Sequence, residues 1–285
     1  MKNKSNEIHF YKKYFIFIIF FFLFSYTYSQ TTFSLSLSQS AINDWRTGEV
    51  KSIELASSFD TKNLLRLDTM LINLNYKFAF GALYEKIADS VPAQLRPSDN
   101  VIYGEIVLRY QLGWVLDPFV SSSVETQIAE SFMYVKGRLS PTSAFWDPVI
   151  SQESFGLAYS YYTDLSLLSR IGVSLKQTRA EIYTKLTDDL KTTNIKEAYK
   201  PESGIQWKTE TYFNIDSVVF YKGLLDSFGT FKNLDVWSIK FENEFQIKIL
   251  KYFGVILRAD FIYDEKQKRE LQYKQNIRFG FIAMI

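Results

Sequence analysis

Glu242 and Glu244 stand two residues apart in the stretch Trp237–Lys248, WSIKFENEFQIK. Two is the repeat of a β-strand, so both carboxylates project from one face. Carboxylates held that close can push one pKa upward, as acid–base catalysis requires. The same face carries Lys240 and Lys248, so a neutralised ion network is the stronger reading of the pair. Nucleophilic hydrolysis of the kind run by lipid-acting membrane enzymes needs a His beside a Ser or an Asp. The chain has a single His, His9, inside an N-terminal stretch expected to be removed. Ser–His chemistry and His metal ligation are thereby excluded from the mature chain. The run Ser121, Ser122 and Ser123 reads as small interior or turn residues. Asp188 and Asp189, in a long connection, have the ligand type for a cation, with a solvated turn as the simpler account. There is no Cys, which excludes disulfides, thiolate catalysis and zinc–thiolate sites. Phosphate-cradling glycine loops, dinucleotide fingerprints and internal repeats are absent too. No catalytic residue, metal or cofactor is expected, and the chain reads as non-enzymatic. A hydrolase acting on membrane lipid through carboxylates alone is the enzymatic alternative.

These residues must be positioned by something, and the N-terminus says where the chain goes. Lys2, Lys4, Lys12 and Lys13 precede an apolar run, Tyr14 to Phe24, followed by the small and polar Ser25 to Ser29. This is the order of a secretory signal peptide, with residues 1–29 removed and Gln30 left as the mature N-terminus. The run is roughly half the length of a spanning helix, and no later segment approaches one. The whole chain has 33 basic and 31 acidic residues. Without Lys2, Lys4, Lys12, Lys13 and Glu7 the balance is 29 against 30. No basic field remains to attract nucleic acid.

From Thr31 onward the hydrophobic period is two. Phe33, Leu35 and Leu37 alternate with Ser34, Ser36 and Ser38. Met70, Ile72, Leu74, Tyr76, Phe78 and Phe80 alternate with a face bearing Asn73, Asn75 and Lys77. Phe253, Val255, Leu257, Ala259 and Phe261 stand against Arg258 and Asp260. Aromatics are 17% of the chain while the mean hydropathy sits near zero, which is what alternation produces. Runs between breakers predict strands at 32–41, 49–58, 66–81, 100–114, 119–133, 152–162, 167–182, 203–214, 218–229, 235–248, 252–264 and 270–285. About twelve antiparallel strands is an even count, as closed bacterial barrels require.

The connections alternate in length. Short turns are expected near 59–65, Val115–Pro118, Thr163–Ser166, Ile215–Ser217 and Ile249–Lys251, and long loops at 82–99, 134–151 and 183–202. Pro92, Pro97, Pro118, Pro141, Pro148 and Pro201 are all assigned to connections, where a missing ladder donor is harmless. Trp45, Trp114, Trp146, Trp207 and Trp237 suit the interfacial girdles of a membrane barrel. An apolar-faced sheet would aggregate unless it closed in lipid, where every backbone polar group must find a partner within the protein. The expected fold is therefore an all-β closed transmembrane barrel over 30–285, in the outer membrane of a Gram-negative-type bacterium. Its partners would be membrane lipid and, during biogenesis, the barrel assembly machinery.

Four segments, Asn43–Gly48 (NDWRTG), Tyr76–Gly81, Trp207–Phe213 and Tyr263–Phe281, resemble an uncharacterised barrel family of Bacteroidetes-type outer membranes, the DUF3078-like domain of unknown function. The resemblance extends over nearly all of the mature chain and implies fold and place without an activity. Barrels of this kind usually finish on an aromatic residue, whereas this chain ends at Ile285.

With the apolar face outward, the strand pattern sends Glu105, Arg109, Glu125, Lys176, Lys208, Glu210, Lys240, Glu242, Glu244, Lys248, Arg258, Asp260, Lys274 and Arg278 inward. Both signs are mixed, so these charges are expected to pair across a lumen that is mostly plugged or at best a narrow pore. Channel, structural element and binding element remain open at this point. A soluble periplasmic barrel is the third alternative, and it would require the apolar faces to point inward.

Overall fold

The computed structural model describes residues 28–42, 50–86, 94–135, 138–162, 165–188, 196–216, 218–264 and 268–284. Residues 1–27 of the expected signal peptide, the Asn43–Gly48 segment and Asp189 lie outside the described residues. Fourteen strands follow one another: β1 (Tyr28–Ile42), β2 (Val50–Leu67), β3 (Met70–Lys86), β4 (Gln94–Tyr110), β5 (Asp117–Thr126), β6 (Ser131–Val135), β7 (Arg138–Ser143), β8 (Val149–Tyr162), β9 (Leu165–Arg179), β10 (Tyr199–Asn214), β11 (Val219–Thr230), β12 (Asn233–Lys248), β13 (Phe253–Asp264) and β14 (Lys268–Met284). Twelve of them close into one antiparallel barrel, with β1 bonded to both β2 and β14. The other two, β6 and β7, pair as a separate hairpin on the connection from β5 to β8.

Each of the twelve expected strands corresponds to a barrel strand, and four local readings need correcting. The expected long loop at 82–99 is mostly strand, with β3 and β4 paired as far as Glu85↔Gln94. The expected strand at 119–133 ends at Thr126, its last residues belonging to β6. The expected turn at 59–65 is instead the continuation of β2, which runs unbroken to Leu67 in register with β3. The reversal is made by Asp68 and Thr69, with Asp68 at φ 53°, a left-handed conformation that Asp adopts more readily than most residues. The assignment of every proline to a connection is also wrong for three of the six. Pro97, Pro118 and Pro201 lie inside barrel strands, while Pro141 lies in the hairpin on the β5–β8 connection. Pro97 precedes the point, Ile102, where β4 starts to pair with β5, and sits at a register shift opposite β3. Pro118 lies beyond the last β4 pair, and Pro201 precedes the first pair of β10 with β11. A proline lacking a donor is tolerated wherever the strand has a partner on one side only.

The apolar face looks outward. Phe33, Leu35 and Leu37 on β1, Phe155 and Leu157 on β8, and Ile171, Val173 and Leu175 on β9 are exposed, while Ser34, Ser36, Ser154, Arg170 and Ser174 between them are buried. Exposed apolar residues continue into the short turns, at Trp114, Val115, Ile215, Ile249 and Leu250. β8 and β9 approach each other closely on the inner side of the wall. Gly156 and Gly172 face each other in register, and a Cβ on either would lie 2.1 or 2.2 Å from a backbone oxygen of the facing strand.

Inside the barrel, toward the end that holds the short turns, is a small apolar core of Val107, Phe119, Ala158 and Leu168 on β4, β5, β8 and β9. Leu71, opposite Arg109 in the β3–β4 register, is equally buried. The alternation gives no sign of this core, because on these strands both faces carry apolar residues.

Candidate functional site

Among the described residues, chemistry-bearing side chains converge in the charged interior of the barrel. The strand order around the ring is β1, β14, β13, β12, β11, β10, β9, β8, β5, β4, β3, β2. Lys62 on β2 forms an ion pair with Glu210 on β10, six places away and diametrically opposite. Lys222 on β11 pairs with Asp60 on β2, five places away. Lys77 on β3 reaches Glu242 on β12, also five places away, at 3.3 Å. Side chains on the convex outer wall diverge, so residues this far apart around the ring can meet only through the lumen. Twelve strands about 4.8 Å apart make a ring roughly 18 Å across before tilt widens it. A lysine and a glutamate laid end to end reach about 13 Å at standard bond lengths. The cross-section is therefore drawn in along the β2–β10 direction.

A central cluster surrounds this crossing. Glu105 on β4 accepts from Arg170 on β9 at 2.8 Å and from Lys208 on β10 at 2.9 Å. Arg170 also donates to Glu210 at 3.0 Å, and Lys208 to the Tyr103 hydroxyl at 2.6 Å. Asn75 donates a further bond to Glu105 at 2.8 Å. These charges are buried and each has opposite-sign neighbours, the condition under which a buried charge is tolerated.

The second cluster lies on β12 and β13. Glu242 is 2.7 Å from Lys240 and 3.4 Å from Arg258, besides Lys77, and Arg258 is 2.9 Å from Asp260. Glu244 instead accepts from Gln246 at 2.6 Å. Three cations surround Glu242, the opposite of the apolar or like-charge setting in which a carboxyl serves as a general acid. The third cluster is nearer the long-loop end: Arg278 on β14 lies 2.7 Å from both Glu54 on β2 and Asp99 on β4, and Lys274 lies 3.0 Å from Asp99.

Of the other residues in the expected interior set, Arg109 donates to the Tyr162 hydroxyl at 2.8 Å and to Asn73 at 3.2 Å, and is 3.9 Å from Asp117. Lys176 and Lys248 lie over the rings of Phe228 and Phe220, at 5.7 and 4.5 Å. Glu125 on β5 lies half-buried opposite Tyr103 of β4. The expected set omits Glu54, Asp60, Lys62, Lys77, Asp99, Arg170 and Lys222, and each cross-lumen ion pair named above except Lys208–Glu105 involves at least one of them. Arg170 shares the parity of Lys176 on β9, a signal present in the sequence. Asp60 and Lys62 are hidden by the turn-like composition of the stretch DTKN.

At the long-loop end the connections are tied to one another. The Asp147 carboxylate accepts backbone N–H groups of Glu181 at 3.1 Å and Ile182 at 2.8 Å, joining the β5–β8 and β9–β10 connections. The Tyr183 hydroxyl donates to Glu130 at 2.9 Å, and this carboxylate raises the Tyr183 pKa above its ordinary value. Asn100 anchors the hairpin approach, accepting from Ile128 and Ala129 backbone N–H groups and donating to Ser131.

Residues 37–132 match the family model of a protein of unknown function (DUF3078). The resemblance read from Asn43–Gly48 and Tyr76–Gly81 is borne out over that stretch, while Trp207–Phe213 and Tyr263–Phe281 fall outside the matched region. No curated protein matches the chain. Among solved structures, the chain is similar to the translocator domain of the autotransporter NalP from Neisseria meningitidis, at 6% identity and TM-score 0.40, covering 98% of this chain and 97% of that one. An outer membrane channel from Pseudomonas putida F1 is similar at 10% identity and TM-score 0.40, over 91% and 96% of the two chains. An anion-selective porin from Comamonas acidovorans follows at 6% identity and TM-score 0.34, over 91% and 99%.

Proposed function

We propose that the protein is a non-enzymatic outer-membrane β-barrel whose lumen is shut by ion pairs, and which works as a structural or binding element through its long outer loops. The observation that carries this reading is the pairing of Lys62 with Glu210 and of Lys222 with Asp60 across the interior, inside a wall whose exterior is apolar. Exposed Phe, Leu, Ile and Val on the outside of a closed sheet suit acyl chains and would aggregate in water. In a soluble ligand-binding barrel the polarity would be reversed. The exposed Trp114, Tyr252 and neighbouring apolar turn residues fit an inner interfacial girdle. Among the described residues, Asp147 ties the β5–β8 connection to the β9–β10 connection and Asn100 ties the former to β4, which suits a contact surface. A carboxylate-only hydrolase is disfavoured because Glu242, its best acid–base candidate, is surrounded by Lys77, Lys240 and Arg258.

Membrane fractionation of expressing cells, followed by gel electrophoresis with and without boiling, tests the reading. The protein should appear in the detergent-soluble outer-membrane fraction and run at a different position unboiled, as an intact barrel does. Recovery in the soluble periplasmic fraction without detergent would overturn it.

A further inference from the structure

The barrel closes between β1 and β14, and this seam is only partly paired. β14 is bonded to β1 over six residue pairs, from Thr32↔Met284 to Leu37↔Phe279. Extending that register would place Ser38 to Ile42 opposite Arg278 to Lys274, yet among the described residues no pairing joins them. Neither lip is frayed. β1 remains paired with β2 through Ile42↔Val50, and β14 remains paired with β13 as far as Asp264↔Lys268. Residues 271 to 275 are exposed on both faces of the strand, with Tyr273 and Leu271 outside and Gln272 and Lys274 inside. The wall therefore has a slot on its long-loop half.

The lower edge of the slot meets the apolar belt, and above that edge the outer face of β14 carries Gln275 and Tyr273. Leu37 and Ile277 flank it on its outer surface, with Ile53 one strand further round. Directly behind it is the third ionic cluster. Glu54 there accepts from Ser38 at 3.0 Å, Asn276 at 3.1 Å and Arg278 at 2.7 Å, while Lys274 and Arg278 share Asp99. Backbone N–H and C=O groups along two unpaired lips need polar partners at membrane depth. Hydrocarbon cannot supply them, whereas a polar headgroup can.

We propose that the upper β1–β14 seam is a lateral portal for a membrane phospholipid, with the head among Glu54, Asp99, Lys274 and Arg278 and the acyl chains leaving between the strands past Leu37 and Ile277. The cluster contains two acids and two bases, so it matches a zwitterionic head whose phosphate meets Lys274 and Arg278 and whose amine meets Glu54 and Asp99. The proposal rests on the membrane reading above and adds a ligand and a route to it.

The absence of Cys makes the test direct. A photo-crosslinking side chain is placed at Asn276, behind the slot, and in a separate variant at Leu157, on the outer wall. Both are reconstituted in phosphatidylethanolamine vesicles, with and without a seam lock made by Gln39→Cys and Ile277→Cys. The portal predicts lipid adducts at 276 that fall at least fivefold when the lock is oxidised and return on reduction, and at least threefold weaker labelling in phosphatidylglycerol vesicles. In the absence of the crosslinker the locking pair should oxidise far more slowly than Leu35→Cys with Phe281→Cys in the paired half. Adducts at 157 but none at 276, or labelling at 276 that ignores the lock, overturn the portal and leave the membrane reading intact. Equal oxidation rates for the two cysteine pairs also overturn it, and equal labelling in the two lipids overturns the zwitterionic assignment. No adduct at either position overturns the membrane reading itself.

Discussion

Lys62 on β2 and Glu210 on β10 stand at opposite points of a ring of twelve strands, and their side chains meet in the middle. Arg170 joins Glu210 to Glu105, and Lys208 returns from Glu105 to the β10 side. The four strands β2, β4, β9 and β10 are thus tied by charges through the lumen as well as by ladders around the wall. Lys222 and Asp60 cross the lumen in the opposite sense, so each wall presents both signs to the other.

Arg170 carries two carboxylates and is 3% exposed. Arg170→Met would remove the cation between Glu105 and Glu210 and leave each with one lysine, Lys208 and Lys62. A loss toward the lower end of about 3–5 kcal/mol is therefore expected, the usual range for removing one partner from a buried ion pair. Lys240→Met, on a half-exposed side chain with other cations near its partner, should lose less than about 1 kcal/mol. Urea unfolding in vesicles, followed by tryptophan fluorescence, separates the two.

The outward face makes a second prediction, independent of the interior. Phe155→Arg or Ile171→Arg places a cation against acyl chains, which costs about 2–4 kcal/mol near the middle of a bilayer. Folding into vesicles should become less efficient, and the same variants should fold nearly normally in detergent micelles, where the head can reach water. Equal folding in both media would place these residues away from lipid.

Gly172→Ala puts a methyl group 2.2 Å from the Phe155 carbonyl oxygen on a strand that cannot retreat. Loss of the heat-modifiable band is expected. Gly104→Ala, whose Cβ would come no closer than 3.8 Å to Tyr76, should retain it.

The sequence discloses the fold more fully than the interior, and the reason is physical. Period-two alternation survives wherever one face meets a uniform medium, so Phe33 to Leu37 and Trp237 to Lys248 are legible as strands. Inside, the surroundings are not uniform. Asp60 and Lys62 look like turn residues because buried cross-lumen partners demand the same side chains that solvent does. Val107 and Phe119 are apolar on an inward face because they pack on Ala158 and Leu168. The partner of a lumen charge is set by ring position, and Lys62 and Glu210 are 148 residues apart. Arg170, by contrast, was accessible from its parity with Lys176.

Asp147→Ala removes the acceptor for the Glu181 and Ile182 N–H groups, each bond to a charged acceptor being worth about 1.5–3 kcal/mol. Hydrogen exchange at Glu181 and Ile182 should accelerate at least tenfold, with added proteolysis in the β9–β10 connection. The barrel's heat-modifiable shift should stay unchanged, since the ladder strands take no part in this tie.

The most direct test of the closed lumen is planar-bilayer recording of the wild-type protein beside the quadruple variant Asp60→Ala, Lys62→Ala, Glu210→Ala, Lys222→Ala. The wild type should be silent or pass only steps far smaller than those of an open porin, and the variant should conduct. Large, stable porin-like steps from the wild type, or a folded variant as silent as its parent, would contradict the account.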